Sequence, residues 1–216
     1  MIRFSEDKMI DWVDRLSDQD YLVIDDFIDD GLLSTIRDYY EHLLKQDEFD
    51  PAGIGALDQH HVNKKIRGDE VYWLNRRDDV ALEEFFQIAE EIRLMLNRYC
   101  YLSLSGYEFH LAHYPAGSFY KRHLDQFQQR SNRLISSILY LNENWQPGDG
   151  GELKMFLPSG EKLIEPLGKR LVLFKSDAVE HEVMMTYKGR YSLTGWYLYL
   201  PQGMGFMDTQ VPGSGM

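Results

Sequence analysis

A chain of 216 residues with 44% hydrophobic and 27% charged side chains is long enough for one domain with a sizeable core and has an ordinary globular composition. Its 23 basic against 35 acidic residues leave a formal net charge of −12, which argues against general binding to nucleic acid or anionic membrane through phosphate neutralisation. Cys100 is the only cysteine, Met1 to Asp7 has no positive segment leading into an apolar one, and no apolar run nears the ~18 residues of a membrane span, so a reducing cytoplasm is the expected setting.

Met9, Val13 and Leu16 mark a short first helix, and Tyr21 to Ile24 reads as a strand. Leu32, Leu33, Ile36, Tyr39, Tyr40, Leu43 and Leu44 then follow helical spacing. Residues 46–65 hold Pro51, Gly53, Gly55 and few apolar side chains, so a long loop or mobile hairpin of the kind that serves as a lid is expected there. Basic clusters stand at its end, Lys64-Lys65-Ile66-Arg67, and again at Lys121-Arg122. From Leu82 through Phe85, Phe86, Ala89, Ile92 and Leu96 to Tyr99 a stronger stripe predicts a long helix backing a sheet.

After Gly106 the period changes to two. Strands are expected at about 107–114, 119–124, 133–141, 152–157, 162–165, 170–174, 181–186 and 190–199, separated by turns at Pro115-Ala116-Gly117, Pro147 to Gly151, Pro158-Ser159-Gly160 and Lys188-Gly189. Short strands after a helical half predict an α+β, mainly β chain: a double-sheet jelly roll supported by N-terminal helices. The expected organisation is one domain over 1–200, with helical support to about residue 100 and the jelly roll beyond it, then a flexible tail over 201–216.

His123 and Asp125 stand two apart at a presumed strand end, where alternation would turn both side chains to one side. With His181 they form two imidazoles and one carboxylate, the ligand set of non-haem Fe(II) oxygenases, which leaves coordination positions open. A structural zinc site would recruit cysteines, and there is only Cys100. The bland alternatives are an exposed turn pair for His123 and Asp125 and a core histidine bonded to a backbone carbonyl for His181. Nine positions after His181, Arg190 shares a strand face with Ser192, Thr194 and Trp196. A charge inside a barrel needs a partner, so Arg190 implies a bound anion such as a dicarboxylate, the alternative being a surface ion pair with a glutamate.

In order along the chain, Arg67-Gly68-Asp69 to Trp73, His113-Tyr114-Pro115, Tyr120 to Asp125, Ile138 to Asn142 with Trp145, Gly150 to Leu153, His181-Glu182-Val183 and Arg190 to Tyr197 resemble the motifs of the Fe(II)- and 2-oxoglutarate-dependent dioxygenases. The likeness is to the prolyl hydroxylases related to the hypoxia-inducible-factor hydroxylases and their bacterial homologues, over roughly Ile66 to Leu200. The resemblance implies a double-stranded β-helix, cupin-like, with Fe(II) on His123, Asp125 and His181 and with 2-oxoglutarate and O2 as co-substrates. It implies Arg190 and Tyr140 on the distal carboxylate of 2-oxoglutarate, Tyr114 near it, and Leu153, Thr194 and Trp196 lining the pocket. Tyr140, Leu153 and Trp196 fit strand-core positions equally as residue types. Arg67 and Asp69 would organise the substrate-covering region, or form a solvated charged turn. Trp73 is read as core in preference to substrate platform; His110, which alternation puts on the Tyr114 face, is either a support to the site or a packed polar core residue, and is left out of the site.

The expected function is hydroxylation of a prolyl residue of an intracellular protein, with release of succinate and CO2. Translation-associated proteins are one target class of the wider family. Three alternatives stand: hydroxylation of free proline or another small metabolite, a 2-oxoglutarate- or metal-sensing module without turnover, and a metal-binding cupin-like structural protein.

Overall fold

The computed structural model describes residues 3–53, 66–126 and 132–199. Within them the helical stretches form where the stripes place them: α1 (Glu6–Gln19), α2 (Asp30–Lys45) and α3 (Glu83–Cys100). Asp29 caps α2 by accepting the Leu32 amide at 2.8 Å, which satisfies one of the N–H groups that a first helical turn leaves open. The buried residues of α2, Leu32, Ile36, Tyr40 and Leu43, recur every three or four positions, the apolar stripe that must find a partner surface.

That surface is one face of a large antiparallel sheet. Its strands are β1 (Tyr21–Ile24), β2 (Asp50–Pro51), β3 (Glu70–Trp73), β4 (Leu104–Tyr114), β6 (Arg133–Tyr140), β9 (Leu171–Lys175) and β11 (Arg190–Tyr199), in the spatial order β1-β9-β6-β11-β4-β3-β2. A smaller sheet, β5-β10-β7-β8, is built from β5 (Tyr120–His123), β7 (Leu153–Leu157), β8 (Gly160–Ile164) and β10 (Glu180–Val183). The eight strands expected after Gly106 are all present, four in each sheet, which is the double-sheet jelly roll. β2 and β3 were not expected; β2 falls in the stretch read as loop, of which 54–65 lies outside the described residues, as does the tail read over 201–216.

Strand alternation divides the core into two layers. Leu111, Ile135, Leu139, Leu171, Leu173, Leu193 and Tyr197 face the helices, with Phe85 of α3 edge-on to Phe109 of β4 at 5.1 Å between ring centroids. Ala112, Tyr114, Ile138, Tyr140, Val172 and Phe174 face inward, against Leu153, Met155 and Val183 of the smaller sheet. Each fully buried large apolar side chain contributes roughly 1.5–3 kcal/mol, so register is strongly held: a one-residue slip would exchange the two layers.

At the centre of this arrangement β11 is paired with both β4 and β6. Gly195 lies where it packs tightest, since a Cβ there would meet the Glu108 carbonyl oxygen and the Phe109 ring at 2.2 Å. Gly195→Ala is therefore expected to lower unfolding free energy by about 1–3 kcal/mol, the usual cost of overpacking, in urea titrations. A change under ~0.5 kcal/mol would show that the two strands have room to separate.

Candidate metal centre

The inward faces converge on two polar groups at different levels of the sandwich. At the first, one ligand atom from each of His123, Asp125 and His181 lies within 4.8 Å of the others. β10 and β5 pair with His181 opposite His123, which brings the imidazoles to a ring separation of 4.3 Å. The expected strand over 119–124 stops at His123, however, and Asp125 lies beyond it in a bend. Strand alternation thus does not bring Asp125 to the histidines. Its carboxylate is drawn in by Ser136 of β6, whose hydroxyl donates to Oδ2 at 2.6 Å.

Both histidines are oriented by the backbone. His123 Nδ1 lies 2.8 Å from the Lys121 carbonyl oxygen, and His181 Nδ1 lies 3.1 Å from that of Val179. A carbonyl only accepts, so each Nδ1 carries a proton, and in its neutral form each ring presents a bare Nε2. These nitrogens lie 3.4 and 3.7 Å from the two Asp125 oxygens. Burial lowers the His181 pKa to about 4, with Asp125 opposing and His123 reinforcing the shift, so its ring is neutral at neutral pH. Burial also works against the charge of Asp125, but positive charge on the imidazole side of the site and the Ser136 hydroxyl outweigh it and hold the carboxyl well below the usual carboxylate range; with neutral rings that positive charge has to come from a bound cation. Three lone-pair donors thus face one small volume with no proton between them, an arrangement that fits a cation and chemically suits Fe(II).

The second group is centred on Arg190, 3% exposed. Its Nε donates to the Gly151 carbonyl oxygen at 2.8 Å, and its guanidinium lies 4.9 and 5.0 Å from the rings of Tyr114 and Tyr140. Gly151 has φ +78°, and a Cβ there would lie 2.9 Å from Arg190 Cδ, so only glycine allows the contact. Among the described residues no carboxylate lies within 4.0 Å of this guanidinium, which rules out the surface ion pair. The buried Tyr140 hydroxyl has no hydrogen-bond partner. Burial raises the pKa of Tyr114 and Tyr140, so both phenols keep their protons. A buried cation without a counter-charge beside an unused donor fits an anion. Leu153 of the smaller sheet packs in the same inner layer, and Thr194, half-buried, continues the polar row through Ser192 at 3.0 Å.

Trp196 lies farther along β11, opposite Ser136 in register, so its side of the sandwich is the metal level. Around it the structure departs from expectation. Trp73 is not core: it is 48% exposed, its ring packed against His110 at 4.9 Å with a 54° tilt, and His110 in turn lies 5.4 Å from Trp196. His110 is buried on the inner face, in the field of both Asp69 and Asp125, and its Nδ1 is unpartnered. Alternation puts His110 on the Tyr114 face; what it could not give was the Trp73 ring packed against it from β3. Arg67 and Asp69 are not a solvated turn: Asp69 is 3% exposed, the guanidinium donates to it through two nitrogens, and it covers Tyr120 at 4.4 Å. Ser136 carried no signal beyond strand periodicity and Ser176, past the strand expected at 170–174, carried none; Tyr120, whose ring stacks on His123 at 3.7 Å, was marked only as the first residue of the Tyr120-to-Asp125 motif.

Residues 109–198 match the 2OG-Fe(II) oxygenase superfamily. Human prolyl hydroxylase EGLN3 is 36% identical over 149 residues, 63% of this chain and 61% of the human protein. The crystal structure of a Pseudomonas putida prolyl-4-hydroxylase superposes with a TM-score of 0.81 at 34% identity, over 89% of this chain and 100% of that one. The chain belongs to the 2OG-Fe(II) oxygenases. It has the double-stranded β-helix of that family, whose members use Fe(II), 2-oxoglutarate and O2, and His123, Asp125 and His181 form a group that could hold the metal. A prolyl hydroxylase from Trichoplax adhaerens, solved with a hypoxia-inducible-factor peptide, is also similar, at 26% identity and a TM-score of 0.79 over 89% of this chain and 91% of that one. The chain spans less than two thirds of human EGLN3. Among the described residues no helix is long and apolar enough to cross a membrane.

Burial lowers the His110 pKa to about 3 and that of His181 to about 4, against about 6.5 in an unfolded chain. Above pH 6.5 both states leave the rings neutral. Below it the unfolded chain takes up protons that the native protein refuses, so stability falls with falling pH, by up to ~1.4 kcal/mol per unit for each ring, down to each folded-state pKa. Urea titrations of the metal-free protein at pH 7, 6 and 5 should show this slope, and His110→Phe should reduce it by one proton's share; an unchanged slope would mean that His110 titrates normally.

Proposed function

We propose that the chain is a 2-oxoglutarate-dependent dioxygenase of the prolyl hydroxylase type that hydroxylates a prolyl residue within an intracellular protein, releasing succinate and CO2, with residues 1–200 acting as one unit. Translation-associated proteins are the target class carried over from the family resemblance. In this reading His123, Asp125 and His181 hold the iron, Arg190 and Tyr140 the distal carboxylate of 2-oxoglutarate, and Tyr114, Leu153, Thr194 and Trp196 line that pocket. Bound iron supplies the oxidising chemistry, coupling decarboxylation of 2-oxoglutarate to insertion of one oxygen atom into a substrate C–H bond.

The observation that carries the reading is the pairing of two unmet demands on one inner surface, a cation site and an anion site. A metal-binding structural protein needs only the first. The rest of the chain orients and excludes: Tyr114 and Tyr140 flank the guanidinium, both sheets close off water, and Arg67 with Asp69 props the region over Tyr120.

For the substrate, support comes from charge and shape at the metal level. Arg67 is paired with Asp69, Arg122 with Glu180 and Arg133 with Glu108, so these cations already have carboxylate partners and offer little to the free carboxylate of an amino acid. The half-exposed face of Trp73 instead suits an uncharged prolyl ring in a peptide. The peptide-bound relative from Trichoplax adhaerens supports the same substrate class.

Purified protein with Fe(II), 2-oxoglutarate and O2 should release succinate faster when a cytosolic protein fraction is added, and Asp125→Ala should abolish the gain. Stimulation by L-proline alone would move the substrate to a free metabolite, and absence of turnover despite bound iron and 2-oxoglutarate would leave a sensing module. Arg190→Ala should raise the 2-oxoglutarate requirement at least tenfold, consistent with ~1.5–3 kcal/mol for a hydrogen bond to a charged group, while leaving iron binding intact. Unchanged co-substrate dependence would remove Arg190 from that role.

A further inference from the structure

Asp125 is the one member of the triad outside a regular strand, so no ladder fixes its backbone. What reaches it comes from the opposite sheet. Ser136 lies inside β6, 1% exposed, with its hydroxyl 2.6 Å from Asp125 Oδ2. Ser176 follows β9, is fully buried, and has its hydroxyl 2.8 Å from that of Ser136. The backbone of Ser176 is itself tied at both ends: its amide donates to the Leu134 carbonyl oxygen, and its own carbonyl oxygen accepts from the Gln126 amide, each at 3.0 Å. Gln126 is the residue after Asp125, so Ser176 holds the bend by its backbone and the carboxylate by its side chain.

Proton bookkeeping gives this chain a direction. An ionised carboxylate only accepts, so the single Ser136 proton goes to Asp125, and the contact between the hydroxyls is then made by the Ser176 proton. Buried hydroxyls of this kind have no water with which to exchange partners.

We propose that Ser136 and Ser176 are positioning residues for the iron, a two-hydroxyl relay that pins Asp125 Oδ2 to the larger sheet and sets the rotation of the carboxylate against His123 and His181. The inference rests on those three residues being the metal ligands. Without the relay the carboxylate, carried on a bend, is free to turn away or to present both oxygens to the ion, which would consume a position that a chelating co-substrate needs.

Anaerobic titration of the purified full chain with Co(II), followed by visible absorption, tests this without turnover, and melting of the metal-free variants reports folding separately. Ser136→Ala should bind Co(II) about 10–100-fold more weakly and with an altered spectrum, the usual range when a partner of a metal ligand is removed. Ser136→Thr, which keeps the hydroxyl, should restore both. Ser176→Ala should weaken binding less, and the double variant should be no worse than Ser136→Ala, because Ser176 acts through Ser136. Wild-type affinity and spectrum in Ser136→Ala, a loss that threonine does not recover, or fully additive losses in the double variant would each overturn the relay. If Asp125→Ala binds Co(II) as tightly as the wild type, the ligand assignment fails rather than the relay.

Discussion

A buried charge must meet an opposite charge or the fold gives up several kcal/mol, and this molecule keeps two such demands on the inward face of one sheet. Arg190 stands among tyrosines without a carboxylate, and Asp125 stands between two imidazoles that present lone pairs rather than protons. Neither demand is met within the described chain. The remaining architecture keeps both in place: helices seal the outer face so that water does not reach them from behind, and the smaller sheet covers them in front.

The two layers of the larger sheet divide the labour. Toward the helices the strands carry leucine, isoleucine and tyrosine and supply stability. Inward, the same strands set the polar groups of Ser136, Ser192 and Arg190 among buried apolar side chains and the rings of Tyr114 and Tyr140. Period-two alternation makes this possible, since consecutive residues of β11 serve stability and chemistry in turn: Ser192 inward, Leu193 outward, Thr194 inward. The glycines at 151 and 195 mark two places where the backbone comes too close to a side chain or to a neighbouring strand to carry a Cβ.

Orientation is obtained cheaply. Each imidazole is locked by a carbonyl two residues before it, a local bond that comes with the strand itself. The carboxylate has no such local anchor and depends on hydroxyls far away in sequence. An ion bound by these three ligands would therefore sense the packing of β6 against β9 as well as that of β5 against β10.

Much of this was legible in the sequence because it follows from short-range rules. Helical stripes, strand alternation and glycine- and proline-rich turns located three helices and nine strands, and Arg190 on a strand face called for either a bound anion or a surface ion pair, between which only its burial decides. His123 and His181 could be picked out as candidate ligands from their chemical type and the order of motifs around them. The contacts decided only in three dimensions are those between residues distant in the chain. Strand β5 stops at His123, so Asp125 joins the histidines through Ser136 and not through alternation. Trp73 is exposed, because β3 joins the sheet beside β4 and turns it toward His110; the same edge buries Asp69 beneath Arg67. Local pattern states which face a side chain takes along its own strand, while its neighbours across the sheet depend on register and sheet order, which no local pattern encodes.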